Sequence, residues 1–239
     1  MKKTIRALLL SAGLGTRLRP LTLSIPKCLV EINDKPILEN WLDKLEKIRV
    51  EKVLINTHYL SEQVDKFIDN QHNRNIEISN FYEEKLYGTA ATLIANSKFF
   101  MNSTCILIHA DNFTTLDLNE LVKAHQNRPP ECLLTMLTFK TENPSSCGIV
   151  NVDSKGIVQG FHEKSPESNG NLANGAIYVF ENNLLLWLLK NYPKVKDFST
   201  EVIPKLIGKI YSFETSHPFI DIGTLKALKK AREIAKKLN

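Results

Sequence analysis

An α/β fold is predicted by three features of the sequence. A short apolar run, Leu8-Leu9-Leu10, opens into a glycine-containing loop; strand-like and helix-like stretches then alternate; and two later apolar runs, Ile106-Leu107-Ile108 and Phe219-Ile220, lead to aspartates, Asp111 and Asp221. Such alternation calls for a largely parallel sheet with helices on both faces. Ligands of these sheets bind beyond the carboxyl ends of the strands, which is where the loop and both aspartates fall.

Each element has its own signal. Leu8 to Leu10 read as a buried strand, and Pro36 opens a helix in which Ile37, Trp41, Leu45 and Ile48 recur near helical period. Val53 to Asn56 is the next buried strand. Ser61 is an N-cap candidate for the helix Glu62 to Asp69, and Ile76-Glu77-Ile78 alternates as a short strand. Thr89 is the candidate cap of a helix running to Ser97; Ile106 leads a strand to Asp111; a helix Asn119 to Gln126 and a strand Cys132 to Thr138 follow. Val150 to Asp153 and Ile157 to Phe161 alternate around a turn with Gly156, the pattern of a hairpin. Ser199 offers itself as a further cap, and a lysine-rich helix ends the sequence.

Composition narrows the class. The 239 residues are 43% hydrophobic and 24% charged, the balance of a globular protein with a full core. The apolar runs are short and broken by charge, so no membrane span is expected, and the first residues lead straight into a strand rather than a signal peptide. The cytoplasm is the expected location. Cys28, Cys105, Cys132 and Cys147 are scattered, with no C-x-x-C pair, and read as reduced thiols. The net charge of +5 is accounted for by the last fifteen residues, where Lys226, Lys229, Lys230, Arg232, Lys236 and Lys237 outweigh Glu233. That is a solvated helix face, not a nucleic-acid surface.

The loop after the first strand carries the chemistry. Gly13 and Gly15 leave backbone N–H groups uncovered, and Arg17 and Lys27 add two fixed positive charges, so a ligand with several negative charges is expected, a nucleoside triphosphate first. A dinucleotide fingerprint would need glycine where Leu18 stands and an acid closing the second strand, where Asn56 stands. A Walker loop would need Gly-Lys-Ser or Gly-Lys-Thr, which the sequence lacks. A plain glycine turn leaves Arg17, Arg19, Pro26 and Lys27 unexplained. Asp111, closing a central strand, is the first candidate ligand for the divalent cation that a triphosphate brings. Glu163 can accept from two sugar hydroxyls, Lys164 can pair with a phosphate, and Asn174 beside Gly175 can donate where backbone comes close.

The stretch from Gly13 through Arg17-Leu18-Arg19-Pro20-Leu21-Thr22 to Pro26-Lys27 resembles the signature G-x-G-T-R-L-x-P-L-T…P-K of the sugar-1-phosphate nucleotidylyltransferases, most closely the mannose-1-phosphate guanylyltransferase branch. Further matches run along essentially the whole sequence. Glu83-Glu84-Lys85-Leu86-Tyr87-Gly88-Thr89-Ala90 is similar to E-E-x-P-L-G-T-A, Pro144 to Val150 to P-S-x-Y-G-V-V, Glu163-Lys164 to E-K-P, Asn174 to Tyr178 to N-A-G-x-Y, Ser199 to Pro204 to S-x-E-x-x-x-P, and Phe219 to Thr224 to W-x-D-I-G-T. Lys85 stands for a proline of the family, Cys147 for an aromatic residue and Ser165 for a proline. No hexapeptide repeat is present, so the left-handed β-helix of many guanylyltransferases is not expected.

The resemblance implies one domain, 1–239, with a mainly nucleotide-binding half, 1–130, and a mainly sugar-phosphate-binding half, 131–239. Its fold would be a Rossmann-like, mostly parallel mixed sheet with helices on both faces and a β-hairpin lid over the sugar. Ser11, Ala12, Gly13, Gly15, Thr16, Arg17, Lys27, Gly88, Thr89 and Asp111 would bind the nucleotide, Gly88 admitting the base; Gly148, Glu163, Lys164, Asn174 and Gly175 would bind the sugar phosphate. Asp111 and Asp221 would hold Mg2+, and Arg17, Lys27, Asp111, Lys164 and Asp221 would carry catalysis. The reaction implied joins a nucleoside triphosphate, GTP first, to a mannose- or heptose-type sugar 1-phosphate, giving a nucleotide sugar and pyrophosphate. A sugar phosphate has a second pKa of about 6 and attacks as a dianion, so no general base is needed. Uridylyl or thymidylyl transfer is the alternative within the class, and a non-catalytic regulatory subunit the alternative outside it. No nucleic acid and no membrane are expected as partners; self-association into a homo-oligomer is left open.

Overall fold

The computed structural model describes residues 3–165 and 170–237. Its strands are β1 (Ile5–Leu10), β2 (Glu31–Ile32), β3 (Lys35–Pro36), β4 (Lys52–Thr57), β5 (Glu77–Tyr82), β6 (Thr104–His109), β7 (Asn112–Thr114), β8 (Leu134–Lys140), β9 (Gly148–Val152), β10 (Val158–Glu163), β11 (Leu172–Glu181), β12 (Ile210–Thr215) and β13 (Phe219–Asp221). The helices are α1 (Ile37–Lys47), α2 (Ser61–Asp69), α3 (Thr89–Ala95), α4 (Leu118–Gln126), α5 (Asn182–Asn191) and α6 (Leu225–Lys236). Two compact units share them. A loop unit takes Ile5–Leu86, Ile108–Leu116 and residues 217–237; a hairpin unit takes residues 3–4, Tyr87–Leu107 and Asp117–Ser216.

In the loop unit β1, β4 and β5 pair in parallel, with Leu8 level with Leu54 and Leu10 level with Asn56. Parallel neighbours need crossovers, which α1 and α2 supply. β1 and β4 are buried on both faces, as the unbroken runs Ala7-Leu8-Leu9 and Val53-Leu54-Ile55 demand, and α1 turns Ile37, Leu38, Trp41, Leu42 and Leu45 inward. Helix α6 is capped by Thr224, whose hydroxyl accepts from the Ala227 N–H; it buries Leu228 and Ala231 and leaves its lysines in water. A separate antiparallel pair joins β13 to β7, with Asp221 opposite Asn112.

The hairpin unit is mixed. β8 runs parallel to β12 and antiparallel to β11, and β11 pairs with β9 at Ala173 and Ile149. β9 and β10 form the expected hairpin. Its turn is held by Asp153, whose Oδ1 accepts from the Lys155 and Ile157 N–H groups while Gly156 takes φ 75°. Tyr178 and Phe198 pack ring on ring at 4.7 Å in the core of this unit.

The α/β class with a mixed sheet is the one expected; parallel pairing dominates the loop unit and antiparallel pairing the hairpin unit. Local expectations are corrected at the caps. The chain turns through a left-handed Leu60, so Ser61 is already the first helical residue of α2. Asp197, not Ser199, caps the turn Phe198–Val202, accepting from the Thr200 N–H. Pro36 ends β3 and stands at the cap of α1 rather than inside it. All four cysteines are free, three buried and Cys147 half-buried. No described helix is long and apolar enough to cross a membrane.

Candidate functional site

The loop that follows β1 is shaped by its glycines. Gly15 sits at φ 62°, and a Cβ there would come within 3.0 Å of the Thr22 methyl and 3.3 Å of Lys27 Cβ. The Thr22 hydroxyl donates to the Gly15 carbonyl at 2.7 Å and closes the turn. Gly13 faces open space instead. Around it lies a cavity of about 320 Å³ lined by Gly13, Leu14, Gly15, Thr16, Arg17, Lys27, Asp111 and Gly223. That volume suits a small ligand, and its walls combine bare backbone with cationic side chains and a carboxylate.

Lys27, only 8% exposed, organises the charges. Its ammonium donates to a carboxylate oxygen of Asp111 and, at 3.1 Å, to Oδ1 of Asp221. Arg17 reaches the other oxygen of Asp221 at 3.4 Å, and Gly223 makes room for it, since a Cβ there would stand 2.8 Å from Arg17 Nη1. The two aspartates are far apart in sequence, yet the β7–β13 pairing and a bond from the Ile222 N–H to the Asp111 carbonyl at 3.1 Å bring their strand ends together. Burial alone would raise the Asp111 carboxyl; the charges of Lys27 and His109 and hydrogen bonds from Lys27 and its own backbone hold it below the ordinary carboxylate range.

A divalent cation fits this donor set. No group of three or more His, Cys, Asp or Glu side chains forms a metal cage among the described residues. Magnesium needs no cage when phosphates complete its shell, and one or two carboxylates suffice. Here two carboxylates already converge on a single cation, the Lys27 ammonium, beside the cavity.

Ser11 is tied to the end of β4. Its N–H donates to Asn56 Oδ1 at 2.7 Å and its hydroxyl to the Asn56 carbonyl at 2.5 Å, so both groups are spent inside the protein. Asn56 Nδ2 in turn donates to Glu83 Oε1 at 2.9 Å. Sequence reasoning gave neither Asn56 nor Glu83 a role, although a polar residue closing the apolar run Val53-Leu54-Ile55 was the available signal.

In the hairpin unit the sugar-phosphate candidates come together. Glu163 and Gly148 are opposite in the β9–β10 register, and a Cβ on Gly148 would stand 2.6 Å from Glu163 Oε2 and from the Phe161 ring. Glycine is therefore what lets the carboxylate lie across the strand. Lys164 stands 3.6 Å from Glu163 and its N–H donates to the Cys147 carbonyl. Asn174 Nδ2 donates to the Tyr178 hydroxyl at 2.7 Å and its Oδ1 accepts from the Ala176 N–H, while Gly175 is buried between them. Burial pushes the Tyr178 hydroxyl well up, with the Glu163 charge adding to the effect, so Tyr178 stays neutral and fixes Asn174. Tyr178 was legible only as a member of the N-A-G-x-Y match.

Gly88 and Thr89 lie in this unit too. Gly88 takes φ 98°, and a Cβ there would meet the Lys196 carbonyl oxygen at 2.6 Å. That carbonyl accepts from Ala90 and Ala91 at the start of α3. Thr89 does not cap the helix: its hydroxyl donates to Asp197 at 3.1 Å and accepts from the Phe198 N–H at 2.7 Å.

The chain is similar to known proteins along most of its length. Mannose-1-phosphate guanylyltransferase catalytic subunit beta of Drosophila pseudoobscura pseudoobscura is 32% identical over 227 residues, 92% of this chain and 60% of that protein. UTP–glucose-1-phosphate uridylyltransferase of Synechocystis is 27% identical over 235 residues, again 92% and 60%. The chain thus spans about 60% of the length of these curated relatives. Among solved structures, HddC from Yersinia pseudotuberculosis, complexed with GMP-PN, superposes with a TM-score of 0.79 at 24% identity, covering 96% of this chain and 99% of that one. The sequence model described as Nucleotidyl transferase matches residues 6–237, and the chain belongs to that family.

Proposed function

We propose that the protein transfers a nucleoside monophosphate from a nucleoside triphosphate, GTP first, to a mannose- or heptose-type sugar 1-phosphate, releasing pyrophosphate. The observation that carries the reading is the meeting of Lys27 with Asp111 and Asp221 beside the Gly13–Arg17 cavity. The guanylyltransferase relative at 32% identity supports the base and sugar; the uridylyltransferase relative at 27% keeps UTP as the second candidate.

The chemistry follows from charge. A sugar phosphate oxygen attacks the α-phosphorus, and the bond from that phosphorus to the oxygen bridging to the β-phosphate breaks as pyrophosphate leaves. The attacking group is a dianion, so alignment and neutralisation, not proton removal, are the protein's task. The loop N–H groups from Ala12 onward and Arg17 hold the triphosphate. Lys27 leaves the carboxylates for the departing phosphates. Magnesium, held by Asp111 and Asp221, supplies neutralisation of the phosphate oxygens when bound. Glu163 and Asn174 are assigned to the sugar hydroxyls and Lys164 to its phosphate, with the β9–β10 hairpin as a cover for the sugar. The cytoplasm is the proposed location.

A grid of GTP, UTP, dTTP, ATP and CTP against mannose, heptose and glucose 1-phosphates, scored by pyrophosphate release, tests this. GTP with a mannose- or heptose-type phosphate is expected to lead. A strong preference for UTP or dTTP overturns the guanylyl assignment, and no release from any pair overturns catalysis itself.

A further inference from the structure

Beneath the cavity loop lies a buried polar relay with no part in the chemistry above. Glu83 is 1% exposed and Asn56 4%. A carboxylate only accepts and a backbone N–H only donates, so with Glu83 on one side and the Ser11 N–H on the other, the Asn56 amide has a single workable orientation. Nδ2 must face Glu83, at 2.9 Å, and Oδ1 must face Ser11, at 2.7 Å. Because Leu10 and Asn56 are level in the β1–β4 register, this bond seizes the chain at the step where it leaves the sheet. The Ser11 hydroxyl, donating to the Asn56 carbonyl, also meets the Cys28 thiol, next in sequence to Lys27. Glu83 is itself fixed at the end of β5, its N–H on the Thr57 carbonyl and its carbonyl on His58 Nδ1 at 2.8 Å.

We propose that Asn56 and Glu83 are positioning residues for the nucleotide loop: the donor–acceptor sense of the Glu83–Asn56–Ser11 relay sets the direction in which the loop N–H groups from Ala12 onward face the triphosphate. The role rests on the reading of the cavity as a triphosphate site. Neither Asn56 nor Glu83 lines the cavity.

The bond between positions 56 and 83 can be broken and then remade without removing a side chain, while position 56 still accepts from the Ser11 N–H. Asn56→Asp puts two carboxylates face to face and is expected to weaken GTP binding, read by calorimetry, about tenfold, with the KM for sugar phosphate unchanged. It is also expected to speed amide hydrogen exchange in residues 11–18 while β4 stays protected. Adding Glu83→Gln to Asn56→Asp restores the pairing: the amide introduced at position 83 donates to the carboxylate introduced at position 56, which still accepts from the Ser11 N–H. Slow exchange in the loop and most of the affinity should return. The positioning role is overturned if Asn56→Asp leaves loop exchange unchanged, or if the double variant exchanges and binds no better than the single one. Failure of the unmodified protein to bind any triphosphate would sink the site assignment instead, and the exchange measurement, made without ligand, still decides the relay.

Discussion

Replacing Lys27 by methionine removes the one ammonium that Asp111 and Asp221 share while keeping a side chain of similar length. Two unit charges about 4 Å apart attract by about 4 kcal/mol at an effective dielectric of about 20. Asp111 is a third exposed and Asp221 half exposed, so water recovers much of that, and the net loss of stability is expected at about 2 kcal/mol, below the range for a fully buried pair. The same change vacates the point where both carboxylates converge. Mn2+ titrated by calorimetry without nucleotide should therefore bind Lys27→Met about tenfold more tightly than the unmodified protein. At about 100 times its Kd the ion should return about 2.7 kcal/mol, visible as recovery of Tm. Triphosphate affinity should fall, because the lysine is lost to the phosphates. If Lys27→Met were as stable as the parent and bound Mn2+ no better, the carboxylates would not be sharing this cation and the metal assignment would lose its footing.

Four further outcomes are expected. Asp111→Ala and Asp221→Ala should each abolish magnesium-dependent pyrophosphate release while circular dichroism stays native, since one carboxylate holds the ion poorly. Lys164→Ala should raise the KM for sugar phosphate and leave triphosphate affinity, measured by calorimetry, as it was. Gly148→Ala would set a methyl 2.6 Å from Glu163 Oε2 and from the Phe161 ring, so a stability loss of about 2 kcal/mol and a raised KM for sugar phosphate should appear together in unfolding and rate measurements. Glu181 gives a pH test: burial would raise its carboxyl, but the His125 ring 3.6 Å away and hydrogen bonds from Lys3 and Thr104 bring it down to about 2 from 4.5. A lowered carboxylate contributes its full stability above pH 4.5 and loses it as pH falls to about 2. The deficit of Glu181→Gln, about 2 kcal/mol in denaturant titrations at pH 7, should therefore shrink through that window.

The sequence was most legible where a residue type is unusual for its place. An acid closing an apolar run, as at Asp111 and Asp221, or a glycine in a cation-rich loop, as at Gly15, announces itself with no knowledge of what lies opposite. What could not be read was the partner, because partners are set by chain that returns from far away. Gly88 signals that something approaches its backbone; the structure shows the Lys196 carbonyl, from a distant part of the chain, 2.6 Å from where a Cβ would stand. Ser11 signals a small donor beside a phosphate loop; both its donors go to Asn56, because β4 ends level with β1. Lys27 reads as a phosphate ligand, yet the β7–β13 pairing brings two carboxylates to it that no local pattern links. The caps depart from expectation at shorter range: Asp197 stands as the cap where Ser199 was expected, and its carboxylate also takes the Thr89 hydroxyl, a group contributed by α3. Residue type therefore marks the positions that matter, while the pairing of strand ends decides what each one binds. That is why Asn56, an ordinary polar residue at the end of an ordinary strand, acquires its importance only once β1 and β4 are laid side by side.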